Sequence, residues 1–401
     1  MRGVGITGMG IISAIGDTVE ENFRSLAALK PGISRIENID TLHREVIRVG
    51  EIKKTNKELA KYLNLESVNN FTRTAMLGVL AARQAVIHAG ITSIDEWRTG
   101  LVSATSVGGM DTTEQYFTAY PENEEIRRYI LSHDPGDSTH KIADDLGIRG
   151  FITTISTACS SAANAIMLGA RLIRSGELDR VVVGGTDALA RFTINGFKTL
   201  MILSDEANTP FDRDRKGLNL GEAAAYLVLE SDEAIKAGNK RVLAYLSGFG
   251  NANDAYHQTA SSENGEGATL AMEKALRMAE LRPEEISYIN VHGTATGNND
   301  LSEGRALINI FGEQVPVFSS TKPYTGHTLA AAGAIEAVYS ILSLQHGTVW
   351  PNLNFRNPMP EFDLVPATTL QKKEIRHVLS NSFGFGGNCS TLVFTAADDL
   401  H

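Results

Sequence analysis

The stretches "ITTISTACSSAANAIMLGARLIRSG" (residues 152–176) and "VPVFSSTKPYTGHTLAAAGAIEAVYSILSLQHG" (315–347) follow one plan. Each passes from a strand-like run through a short polar turn into an Ala-rich helix. Those helices, expected over 160–174 and 328–345, are apolar on nearly every side, so they belong between layers and not at a surface. Further echoes lie outward from this pair. "GVGITGMG" (3–10) returns as "RVLAYLSGFGNAN" (241–253), and "GLVSATS" (100–106) as "ISYINVHGTAT" (286–296). "RVVVGGTDA" (180–188) and "AAYLVLES" (224–231) are matched by "HVLSNSFGFGGNCSTLVFTA" (377–396). Strands alternating with helices imply α/β units whose sheets are covered on both faces. The expectation is one body of two similar halves, residues 1–240 and 241–401.

Composition narrows the function. The chain has 401 residues, 42% hydrophobic and 21% charged, with a formal net charge of −10. Phosphate backbones reward a basic face, and no basic stripe is visible, so nucleic acid is not expected as a partner. An acidic partner would have to meet a local cluster such as "KKTNKELAK" (53–61) or Arg127–Arg128. No apolar run approaches the ~18 residues of a membrane span, and no signal-peptide h-region before a cleavage site is expected in "MRGVGITGMG". Two cysteines make no disulfide framework, so a cytoplasmic setting is expected.

Two glycine-rich stretches invite cofactor readings that fail on spacing. "GITGMG" is not G-x-G-x-x-G and reads instead as a tight strand-to-helix turn, and "GFGG" (384–387) lacks the Lys-Ser/Thr of a phosphate loop. The second is better suited to aiming backbone N–H groups at something.

Four polar groups mark the starts of apolar helices or the ends of strands. Cys159 opens the first buried helix, His292 follows "ISYIN", and Lys322 and His327 precede the second buried helix. Their spacing matches no zinc pattern, so no metal is expected. A thiol at a helix start should be drawn toward thiolate, and its neighbours are small enough to admit an acyl chain. His327, similarly placed, should stay neutral and donate a hydrogen bond. A buried Lys322 needs a partner, and Glu336 is the nearest. A nucleophile, two neutral imidazoles and a glycine-loop amide suit thioester chemistry.

At these residues the sequence resembles the elongating β-ketoacyl-acyl carrier protein synthases of the thiolase superfamily, along its whole length. The motifs "TACSSA", "PFDRDRKGLNLGEAA", "VHGTATGNND", "STKPYTGHTLAAAGAIEA" and "NSFGFGGN" occur in the family's order. The resemblance implies a five-layered αβαβα fold and decarboxylative condensation with malonyl-acyl carrier protein, extending an acyl chain by two carbons. It implies that Cys159 takes the acyl group, that His292 and His327 stabilise the enolate, and that Lys322, paired with Glu336, organises the histidines. The amides of Cys159 and Phe385 would form the oxyanion hole, with Phe385 as gate. Thr294, Thr296 and Thr259 would hold phosphopantetheine, and Val107 and Phe197 would line the acyl pocket. No cofactor beyond the carrier's phosphopantetheine is implied. The implied partners are acyl carrier protein and a second copy in a homodimer.

Departures from the family pattern bear on pathway and partner. Leu218 stands in place of Phe, Ala223 and Ala225 in place of Gly, and Gly297 in place of Pro, and Cys389 is an additional thiol. The first three changes are expected to reshape the acyl or malonyl pocket. Asn69–Asn70 and Met201 occupy places where many elongating synthases carry basic residues. Carrier docking is then expected to be weaker or to use Lys198, Arg127 and Arg128. An alternative follows: a ketosynthase of a specialised polyketide or aryl-polyene-type pathway, the active half of a heterodimer with a chain-length-determining subunit. A thiolase fits the two-histidine pattern poorly, and a non-catalytic partner would not keep Cys159.

Overall fold

The computed structural model of the chain describes residues 3–397. Ten strands make its large sheet: β1 (Val4–Ser13), β2 (Thr99–Ala104), β3 (Ile152–Ile155), β4 (Arg180–Asp187), β5 (Ala223–Glu230), β6 (Ala244–Asn253), β7 (Tyr288–Asn290), β8 (Phe318–Ser319), β9 (His377–Gly384) and β10 (Asn388–Thr395). They fall into two sets of one topology, ordered β3-β2-β4-β5-β1 and β8-β7-β9-β10-β6. In each set, counted in chain order, the first strand runs antiparallel to the fifth, the fifth antiparallel to the fourth, and the other pairings are parallel. The sets meet where β1 pairs with β6, Val4 opposite Leu246 and Ile6 opposite Ala244.

Six helices complete the layers: α1 (Arg73–His88), α2 (Pro135–Leu146), α3 (Ser161–Arg174), α4 (Glu266–Ala279), α5 (Gly297–Phe311) and α6 (Ala332–His346). Helix α1 lies on β1, β4 and β5 with α2 beside it, while α4 lies on β6 and β10 with α5 beside it. Helices α3 and α6 sit between the two sets of strands, giving the expected αβαβα order. Every residue of α6 from Ala332 to Leu344 is buried, as its all-round apolar sequence requires.

The repeat extends to single atoms. In "GMG" (8–10), a side chain on Gly8 would meet the Ala85 carbonyl at 2.3 Å, and one on Gly10 the Ala81 carbonyl at 2.1 Å. In "GFG" (248–250), Gly248 and Gly250 meet the Ala275 and Ala271 carbonyls at 2.3 and 2.1 Å. Both glycine pairs let an outer helix lie directly on its strand, so "GITGMG" is the middle of β1 and not the strand-to-helix turn expected of it. The central helices share an entry as well. Ala158 (φ 51°) and Leu329 (φ 53°) are both left-handed and each lies three residues ahead of its helix. That kink is why α6 proper begins at Ala332, later than the apolar pattern suggests. It also makes Cys159 and Ala330 counterparts. The duplication presents two such elbows, and one carries a thiol.

Candidate active site

The Cys159 elbow is built from its own small polar residues. Ser161 Oγ accepts the Thr157 N–H at 2.8 Å and donates to the Ala158 carbonyl at 2.5 Å, which holds the left-handed turn. Gly384 is packed against it, so close that a Cβ there would lie 2.9 Å from the Thr157 carbonyl and 3.1 Å from the Cys159 nitrogen. This approach brings the loop 384–387 over the nucleophile. The backbone N–H groups of Phe385 and of Cys159 itself lie beside the Cys159 thiol and favour its charged form. Two donors from different strand ends therefore converge where charge would develop on a reacting thioester.

The thiol corrects one expectation. Its helix-start position does not make it a thiolate: burial pushes its pKa up to about 12, against the Lys322 charge and the N–H groups of Phe385 and Cys159, which lower it. Cys159 is only 6% exposed, and a full thiolate charge loses more hydration there than the local donors return.

His292 and His327 face each other at 87°, ring centroids 5.3 Å apart, and both are buried. Burial first, then the Lys322 charge, holds both far below the usual imidazole pKa, so both are neutral. The helix start expected to do this for His327 is secondary to desolvation. Hydrogen bonding assigns the tautomers. His327 Nδ1 accepts the Leu329 N–H at 3.3 Å, and His292 Nδ1 accepts from Lys322 Nζ at 3.3 Å. Each ring thus keeps its proton on Nε2 and is a donor there. Lys322 also donates to the His292 carbonyl at 2.5 Å and pairs with the Glu336 carboxylate. It touches His292 directly. It reaches His327 through its charge.

Two cavities meet at Cys159. One, of about 170 Å³, is bordered by Cys159, both histidines, Phe385 and the three threonines Thr259, Thr294 and Thr296. The other, of about 420 Å³, is bordered by Cys159, Val107, Met110, Phe192 and Leu200. Phe385 and Phe197 border both and stack at 5.8 Å between them. Every catalytic and substrate-binding residue named from the sequence is therefore brought to one locus, Lys322 and Glu336 through His292. Of the departures, Leu218 and Cys389 line the smaller cavity. Ala223 and Ala225 do not reshape either cavity: they lie fully buried in β5, among the sheet's own packing. Gly297 opens α5 and borders the mouth. Both cysteines are free thiols. Among the described residues no cluster of His, Cys, Asp and Glu could hold a metal ion, and no helix is long and apolar enough to cross a membrane.

Sequence reasoning missed the carboxylates that hold these loops. Glu303 accepts the N–H of His292 and of Gly293, each at 2.8 Å, and burial pushes its pKa up to about 7. Asp300 accepts the N–H of Thr294 at 3.0 Å and of Phe211 at 2.8 Å. Asp187 takes the Val107 N–H at 3.0 Å and the Ala330 N–H at 2.9 Å, tying the acyl-side loop to the start of α6. A signal existed for two of them: "GNNDLSEG" places acids three apart in the first two turns of the helix after "VHGTAT". Such residues can reach back to the preceding loop.

Comparison with known proteins agrees with this geometry. Residues 1–234 match the β-ketoacyl synthase N-terminal domain, and residues 243–356 the β-ketoacyl synthase C-terminal domain. The chain is 36% identical over 412 residues to 3-oxoacyl-[acyl-carrier-protein] synthase 2 of Vibrio cholerae, covering 98% of this chain and 99% of that protein. Among solved structures it superposes on the ishigamide ketosynthase/chain length factor with a TM-score of 0.90 and 33% identity, over 98% of this chain and 99% of that one. A ketosynthase in complex with its chain length factor from Xenorhabdus doucetiae gives 0.86 and 33%, over 99% and 98%.

Proposed function

The chain belongs to the β-ketoacyl synthase family, an acyltransferase of the condensing class, and we propose that its cavity performs 3-oxoacyl-acyl carrier protein synthesis with the residues assigned as follows. The observation that carries the assignment is one cavity bordered by Cys159, by the 384–387 loop packed on its elbow and by two Nε2–H imidazoles.

In the first half-reaction, Cys159 Sγ attacks the thioester carbonyl of an acyl-carrier substrate. The tetrahedral oxyanion is bonded by the amides of Cys159 and Phe385. As it collapses, the C–S bond to phosphopantetheine breaks and the proton of the Cys159 thiol ends on the departing sulfur. A buried neutral thiol suits this exchange, because no net charge has to be stored in the resting site. The acyl chain then lies in the cavity bordered by Val107 and Phe197.

In the second half-reaction, malonyl-carrier protein enters past Thr259, Thr294 and Thr296. His292 and His327 donate from Nε2 to the malonyl thioester oxygen. The bond to the carboxylate breaks, CO2 leaves, and its electron pair becomes an enolate. Neutral donors stabilise that developing charge without having attracted the malonyl carboxylate beforehand. The enolate carbon attacks the acyl-Cys159 carbonyl, and the oxyanion again sits at the Cys159 and Phe385 amides. Collapse releases the product, two carbons longer, and the Cys159 thiolate takes a proton from solvent. Lys322 and Glu336 act through His292, by setting its tautomer.

The carrier would dock at the mouth formed by Ser261, Gly297 and Asn298, with exposed Lys198 nearby on the helix Arg191–Thr199. Arg127 and Arg128 are less available, since they lie over Tyr120 and Tyr129 and Arg127 pairs with Glu124. Strand β3 pairs only with β2, so its outer edge is open for pairing with a second subunit. A homodimer is the first reading. The likeness to two ketosynthase/chain length factor structures supports a heterodimer as the second, with this chain as the active half in a specialised pathway.

Intact-mass measurement on incubation with acyl-carrier proteins of graded chain length tests the reaction. Wild type should gain an acyl adduct that Cys159→Ala lacks, and malonyl-carrier protein should discharge it as a product two carbons longer. Absence of an adduct with every acyl group would overturn the assignment of Cys159.

A further inference from the structure

Beneath the Cys159 elbow lies a polar cluster that the reaction as described does not use. Asn388 directly follows the glycine loop and begins β10. Its side-chain oxygen accepts from Ser160 Oγ at 2.6 Å, from Asn164 Nδ2 at 2.9 Å and from Asn251 Nδ2 at 3.1 Å. These donors come from three places: the residue after the nucleophile, the first turn of α3, and β6. One amide oxygen therefore ties the elbow that supplies the Cys159 N–H to the loop that supplies the Phe385 N–H, three residues before Asn388.

Apart from one N–H of Asn164, the donors do not depend on Asn388 for their own satisfaction. Ser160 Oγ also bonds the Thr157 carbonyl at 2.7 Å. Asn164 Nδ2 also bonds Thr157 Oγ1 at 2.9 Å, and Asn251 Nδ2 bonds Asn164 Oδ1 at 2.9 Å. Removing the Asn388 oxygen leaves one N–H of the half-buried Asn164 without its partner and the other donors satisfied, so its value is in placement more than in stability. Placement matters here because the two oxyanion donors sit on separate segments, and an N–H displaced by half an ångström is a weaker donor. Gly384 already holds the loop against Thr157 from one side. Asn388 holds it from the other.

We propose that Asn388 is the positioning residue of the oxyanion hole, acting through Ser160 to fix the spacing of the Cys159 and Phe385 amides. This rests on the acyl-transfer reading above. The effect falls on steps that pass through a tetrahedral oxyanion and spares decarboxylation, which needs the histidines. The test is single-turnover acylation of Cys159 by an acyl-carrier thioester, alongside CO2 release from malonyl-carrier protein, with Asn388→Ala and Ser160→Ala. Asn388→Ala should slow acylation about 10- to 100-fold, with the carrier KM and CO2 release within about twofold of wild type, and with only the modest fall in melting temperature that one unpaired N–H causes. Ser160→Ala should move acylation the same way by a smaller factor, and it decides the matter if Asn388→Ala does not fold. Wild-type acylation rates in both variants, or equal losses of acylation and CO2 release, would overturn the proposal. Failure of the wild-type protein to acylate would instead overturn the function on which it rests.

Discussion

Replacing Lys322 separates the stability of the buried ion pair from its effect on the reaction. Lys322 is 1% exposed and Glu336 2%, and the pair is closed off by Ser382, 3.5 Å from the second Glu336 oxygen. In Lys322→Met the Glu336 carboxylate loses its counter-ion, which costs about 3–5 kcal/mol for a buried pair. Burial already raises the Glu336 pKa against the Lys322 charge, so without that charge it rises further and the carboxyl takes up a proton. The double variant Lys322→Met/Glu336→Leu removes both charges and should return to within about 1 kcal/mol of wild type, as apolar replacements of buried pairs do. Decarboxylation should not return with it. His292 Nδ1 then has no donor to hold the Nε2–H tautomer, and losing one placed donor costs about 100- to 1,000-fold. Urea unfolding midpoints and CO2 release from malonyl-carrier protein, measured on all three proteins, give the two quantities. If the double variant recovered both, Lys322 would be an ion-pair partner and nothing more. If the single variant lost less than about 1 kcal/mol, the site would be wetter than the burial implies.

The buried thiol sets a pH profile. With its pKa near 12, the Cys159 thiolate fraction rises about tenfold per pH unit from 7 to 10, so alkylation by iodoacetamide should climb across that range without a plateau; a plateau below pH 8 would show that the helix start outweighs burial after all. Gly384→Ala places a methyl 2.9 Å from the Thr157 carbonyl and pushes the 384–387 loop off the elbow. It should slow Cys159 acylation at least about 100-fold while leaving CO2 release from malonyl-carrier protein largely intact, and equal losses in the two assays would mean that the loop does not carry the second oxyanion donor.

Much of this protein was legible in one dimension because its fold is a duplication. The two all-apolar helices could lie only between layers, whereas "GITGMG" reads as a strand-to-helix turn and only the structure shows it inside a strand, pressed by an outer helix. The four groups Cys159, His292, Lys322 and His327 stood out since each interrupts an apolar run at the start of a helix or the end of a strand. Topology carries such positions to one end of an α/β body, so their convergence follows from their place in the pattern. The resemblance to a known family then assigned their roles.

What remained hidden depends on distances between segments far apart in sequence. Nothing in "TACSSA" shows that its thiol is almost fully buried, and so a local rule about helix starts gave the wrong protonation state. The carboxylates of Glu303, Asp300 and Asp187 look like ordinary acids of a helix or a strand end until the loops they hold are packed around them. The effect of Ala223 and Ala225 on the pocket was overstated, because only packing tells which face of a wholly buried strand meets a cavity. Asn388 is a single letter after a glycine loop, and its three donors come from 137 to 228 residues away. Periodicity and motif place a side chain on an element; desolvation and hydrogen bonding depend on everything packed against it, and those neighbours exist only once the two halves have closed.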